Sequence, residues 1–145
     1  RLKTSMSPHA AADIEGVELG IDKIELQKSD KTIVVEGAGG VMVPLNSTET
    51  YLDLMVKLNL PVVLVTRHYL GSINHTMLSW NVLKEAGLRV VALVISGTPH
   101  PSTESYFATQ IDVPFIRVNE LEELSSETVA EEAVRLKTSI KRLIA

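Results

Sequence analysis

The chain contains no cysteine among its 145 residues. That excludes a disulfide framework, a thiolate metal site and a cysteine nucleophile. It fits a reducing compartment, so a cytoplasmic protein is expected. Long apolar runs are also missing. The longest, Val90 to Ile95, is far short of the ~20 residues that span a bilayer. No basic stripe is present and the net charge is −4, so neither nucleic acid nor membrane is expected as a partner. No secretory leader pattern is visible. Eight glycines and six prolines follow no period, which excludes collagen-like and low-complexity readings. The first residue is Arg1 rather than Met, and the chain therefore reads as a processed product or part of a longer protein.

What remains is a globular composition, 45% hydrophobic and 22% charged. The length suits a single domain over residues 1–145. Three short, β-branched runs predict buried parallel strands: Thr32–Glu36, Pro61–Thr66 and Val90–Ile95. Val113–Val118 predicts a fourth. Helical patterns lie between them. Ser7-Pro8 opens one, closed by Gly16. Thr50 and Asp53 have capping-box spacing. Ile73, Met77, Trp80 and Leu83 recur at helical spacing before Gly87. Val129, Ala133, Leu136, Ile140 and Leu143 mark a last helix, acidic at its start and basic at its end. Gly97–Ser102 reads as a loop. Strands alternating with helices predict an α/β fold with a doubly wound, mainly parallel sheet.

Two segments carry candidate chemistry. In Val35-Glu36-Gly37-Ala38-Gly39-Gly40 a carboxylate ends a predicted strand and three glycines follow within four positions. Ligands of open α/β sheets bind beyond the carboxyl ends of strands. Glycines there let backbone N–H groups approach phosphate oxygens, and a carboxylate can hold Mg²⁺. The same residues also suit a plain turn with Glu36 solvated. The second segment, Leu70-Gly71-Ser72-Ile73-Asn74-His75, opens a helix after a strand. It reads either as an anion site at a helix N-terminus or as simple capping by Ser72. His9, His68, His75 and His100 show no metal-ligand spacing and read as structural or solvated. Glu120, Glu122 and Glu123 read as a solvated face.

At these residues the chain resembles the dethiobiotin synthetases. Ser7-Pro-His9 with Glu15-Gly16, Val35–Gly40 with Pro44-Leu45, Leu60–Val65 and Leu70–His75 stand in that family's order. The resemblance implies a P-loop NTPase-like fold and an ATP- and Mg²⁺-dependent ligase of biotin biosynthesis. Such an enzyme closes a cyclic urea from 7,8-diaminononanoate and CO₂. It implies that Glu36 is catalytic and binds the metal. Glu36, Gly37, Ala38, Gly39, Ser96 and Gly97 would contact the nucleotide. Gly39, Gly40, Gly71, Ser72, Ile73, Asn74 and Tyr106 would contact the diamino acid, with Gly71–Asn74 reaching across a homodimer interface. The family's Gly-x-x-x-x-Gly-Lys-Thr motif does not occur here, and the chain reads as roughly the last two-thirds of such an enzyme. Ser96 stands where the family usually has asparagine, and Asn119-Glu120-Leu121 replaces its Gly-x-Ile-Pro turn. Two other readings compete. One is the synthetase domain of a cobyric-acid-type amidoligase, against which Pro44-Leu45 and Asn74-His75 argue. The other is a non-catalytic binding or regulatory relative.

Overall fold

The computed structural model describes residues 2–143. They fall into two compact units, one ending at Leu60 and the other beginning at Pro61.

The first unit has helix α1, Pro8–Glu15, a short 3-10 turn at Ile21–Lys23, and helix α2, Tyr51–Leu58. Proline at the first position of α1 costs no hydrogen bond, because that N–H has no helical acceptor. Ser7 holds the N-cap position but its side chain makes no cap bond. Gly16 ends the helix in the left-handed region, φ 62°. The Glu15 carboxylate accepts the N–H groups of Lys3 and Thr4 at 2.7 and 2.6 Å. Those bonds, the one from Thr4 foremost, hold its pKa below the usual carboxylate value. At α2 the capping box is complete: Thr50 Oγ1 accepts the Asp53 N–H, and Asp53 Oδ2 accepts the Thr50 N–H at 2.7 Å.

The expected strand at Thr32–Glu36 does not form. Residues 25–40 are all exposed, and Val34 keeps 88% of its surface in water. A strand exists through hydrogen bonds to a neighbouring strand. None of the described residues pairs with this segment, so its β-branched composition alone does not make it one.

The second unit is a parallel three-stranded sheet, β1 Val62–Arg67, β2 Val90–Ser96 and β3 Phe115–Val118, in the order β1-β2-β3. Helix α3, Ser72–Glu85, connects β1 to β2, and helix α4, Pro101–Gln110, connects β2 to β3. Helix α5, Ser126–Leu143, follows β3. Parallel neighbours need such crossovers. The pleat sends alternate residues of β2 to opposite faces. Leu93 and Ile95 pack with Trp80, Phe107 and Ile111. Ala92 packs with Ile116 and Leu136 on the other face. Phe107, Leu83, Leu93 and Ile95 are fully buried, each contributing about 1.5–3 kcal/mol by the usual transfer scale.

Two expectations change here. The predicted loop at Gly97–Ser102 ends early, because Pro101 starts α4 with His100 as its N-cap. Apolar positions at helical spacing do not all face the core: Ile73, Val129 and Ile140 are exposed.

Candidate active site

In the first unit, Glu36–Gly40 forms an exposed turn before Val41. Two of its glycines answer to packing. A Cβ on Gly37 would stand 3.1–3.3 Å from the Tyr51 ring, and one on Gly39, at φ 98°, would stand 2.9 Å from Val43 Cγ2. Gly40 differs, since nothing lies within 4 Å of where its Cβ would be. The turn is anchored behind. Val43 N–H donates to Gly40 O at 3.0 Å, Tyr51 N–H to Val43 O at 3.0 Å, and Leu52 N–H to Val41 O at 2.9 Å. Asn46 Oδ1 accepts the N–H groups of Thr48 and Glu49, both at 2.9 Å. The Glu36 carboxylate is therefore presented to solvent on a braced turn. Among the described residues no three His, Asp or Glu gather as a metal cluster. One exposed carboxylate could serve a Mg²⁺ ion, which commonly takes only one or two protein carboxylates.

In the second unit, the carboxyl ends of the strands carry the remaining candidates. Gly71, φ 98°, is the N-cap of α3. The Ser72 N–H is taken by Tyr69 O at 3.0 Å, and the His75 N–H by Gly71 O at 3.1 Å. The amides of Ile73 and Asn74 have no backbone acceptor among the described residues, as expected for a helix's first turn. Ser72 is buried, and Ile73 and Asn74 are exposed. Beside this turn lies an open groove of about 490 Å³, lined by Leu64, Thr66, Tyr69, His75 and Ser96 among others. Tyr69 Oη and His75 Nδ1 are hydrogen-bonded at 2.8 Å, and Thr66 and Thr76 hydroxyls at 2.7 Å. Ser96 ends β2, and Gly97, φ 96°, donates its N–H to Val118 O. Tyr106 is half-exposed on α4, outside the lining of that groove. The geometry thus brings Ser96 to the same groove as Tyr69 and His75, next to the helix start.

A cluster that spacing could not reveal sits at the same sheet edge. His68 Nε2 donates to Glu104 Oε1 at 3.0 Å, and the His100 N–H donates to the same oxygen at 2.8 Å. Arg117 Nη2 donates to Glu104 Oε2. His68 is mostly buried. Burial, then the positive fields of His100 and Arg117, push its pKa below the ordinary imidazole value. It is therefore neutral at pH 7. Its proton lies on Nε2, because the carboxylate can only accept. Its partner Glu104 follows it by 36 residues on α4, and Glu104's partner Arg117 by 49 on β3, so no local motif announces them. The His100 ring serves α4 itself, since its Nδ1 accepts the Thr103 N–H at 3.4 Å and caps the helix.

With this geometry in view, the family model described as AAA domain matches residues 1–141. The chain belongs to that family. It is a P-loop NTPase family, and the parallel α/β sheet is the fold expected of it. The chain is also similar to proteins named ATP-dependent dethiobiotin synthetase BioD. It is 53% identical to that of Christiangramia forsetii over 104 residues, 72% of this chain and 50% of the relative. It is 43% identical to one from Rhodopseudomonas palustris over 104 residues, again 72% and 50%. It is 39% identical to that of Cytophaga hutchinsonii over 137 residues, 93% of this chain and 66% of the relative. The resemblance drawn from the motifs thus holds along much of the chain. The chain spans between about half and two thirds of the length of these relatives. No helix among the described residues is long and apolar enough to cross a membrane.

Proposed function

We propose that this chain, as part of one α/β domain, serves the ATP-dependent carboxylation and ring closure of 7,8-diaminononanoate to dethiobiotin, in the cytoplasm and as a homodimer. The observation that carries the reading is the activity in the relatives' shared name, ATP-dependent dethiobiotin synthetase. One amine of the substrate adds CO₂ to give a carbamate. ATP phosphorylates the carbamate oxygen, leaving ADP. The second amine attacks the activated carbonyl, phosphate leaves, and the cyclic urea closes. Such a reaction is catalysed largely by positioning and by stabilising phosphoryl charge.

In this reading Gly37, Ala38 and Gly39 line the phosphates, and Gly39 and Gly40 face the reacting amines. Glu36 holds Mg²⁺, whose charge would neutralise the phosphate oxygens when bound. Ser96 and Gly97 lie by the nucleotide. The helix start Gly71–Asn74, where the Ile73 and Asn74 amides have no backbone acceptor among the described residues, takes the substrate carboxylate, which a helix N-terminus favours by ~0.3–2 kcal/mol, and Tyr106 contacts the same substrate. The test is Glu36→Gln in the full protein. Dethiobiotin formation and Mn²⁺ binding should both fall severely, with an unchanged circular dichroism spectrum. Wild-type turnover in this variant would remove Glu36 from the site.

A further inference from the structure

The Glu104 carboxylate accepts from three separate elements. His68 belongs to the turn after β1, the His100 N–H to the start of α4, and Arg117 to β3. Three residues beyond His68 stands Gly71, whose left-handed backbone starts α3. Only Tyr69 and Leu70 lie between, and both are exposed, Leu70 entirely. The turn therefore has little apolar packing of its own. Its fixed points are the Tyr69 bond to His75, the Ser72 N–H bond to Tyr69 O, and the His68 bond to Glu104. The last is the one that ties it to the rest of the sheet edge and is mostly removed from water.

We propose that Glu104 is a positioning residue: through His68 it clamps the turn 68–71 and so sets the orientation of the helix start Gly71–Asn74. It touches no substrate in this proposal. The proposal rests on the reading that those amides take the substrate carboxylate. Its charge is essential, because Glu104 must accept from a guanidinium and an imidazole at once. An amide oxygen in its place accepts more weakly, and the amide nitrogen would face the Arg117 donor. His68, in contrast, acts as a single N–H donor, and a glutamine can replace that function.

The experiment uses the full protein and four variants: Glu104→Gln, Glu104→Ala, His68→Leu and His68→Gln. Amide resonances of Gly71–Asn74 report the turn, and steady-state kinetics report the site. Glu104→Gln and His68→Leu should displace those resonances. They should raise KM for the diamino acid about tenfold and leave KM for ATP within about twofold, the pattern of a binding element lost for one substrate. His68→Gln should restore both readouts to near wild type. Glu104→Ala serves to show that any loss of folding, read by thermal melting, is separate from the KM split. A folded Glu104→Gln with wild-type resonances at Gly71–Asn74 would overturn the clamp. Displaced resonances with an unmoved KM for the diamino acid would uphold the clamp and overturn the carboxylate reading instead.

Discussion

The two units hold a glycine-bearing turn each, by different means. Up to Gly40 the chain is exposed for sixteen residues, and the turn at Gly37–Gly40 is held by the Val43 N–H bond to Gly40 O, beside a segment, Val41–Leu52, braced by its own backbone bonds and by the Asn46 side chain. The unit around it buries five apolar side chains, Pro8, Ala11, Ala12, Leu45 and Leu54, among the described residues. Gly71 instead stands four residues past the end of β1, in a sheet packed on both faces at β2. The comparison teaches that glycine chemistry needs a rigid backing, and that polar turn bonds or a packed sheet can each provide it. The physical signatures differ. Polar bracing fails when one backbone angle is strained, whereas a packed sheet fails when volume is removed.

Phe107→Ala attacks the sheet. The ring is fully buried between α3, β2 and α4, and its loss should cost about 3–5 kcal/mol in urea unfolding of the second unit. A cost below about 1 kcal/mol would mean that this core does not govern that unit's stability. Gly39→Ala attacks the turn. The new Cβ would meet Val43 in a backbone conformation that alanine avoids, at a cost of about 1–3 kcal/mol. Gly40→Ala, with open space at its Cβ, should stay within about 0.5 kcal/mol; equal costs at both positions would remove the conformational argument. The smallest effect belongs to Val34→Ser. That side chain is almost wholly in water, so stability should move by less than about 0.5 kcal/mol. A loss of several times that would show that the segment packs against something in solution.

The same contrast explains what the sequence could disclose. β1, β2 and β3 were legible because each apolar run finds a parallel ladder partner in the sheet. Thr32–Glu36 has a similar composition and no partner among the described residues, so local pattern alone misled. The capping box at Thr50 and the stop near Gly87 were legible because both are short-range backbone chemistry. Helix α4 was hidden by polar composition, although His100-Pro101 carries a start signal in proline at the first turn. The glycine turns were visible as motifs. The Glu104 cluster was not, since its members meet only once the sheet has placed three separate elements together.

Helix α5 gives the sheet a direction. Arg135 donates to the backbone oxygen of Arg117 at 2.7 Å, and Glu132 accepts the Asn119 N–H at 2.8 Å. The two side chains also pair with each other, and the bond to Arg135, with that N–H, lowers the Glu132 pKa to about 2. On the outer rim of β3 one backbone oxygen, and just past its end one amide, thus have side-chain partners, and β1 and β3 each have a strand on one side only among the described residues. Backbone groups at an open rim recruit further strands, and each one held by a side chain is withdrawn from that pairing. A strand added beside β3 would therefore have to displace Arg135 and Glu132 first, and amide exchange at Asn119 should be slowed by its Glu132 partner.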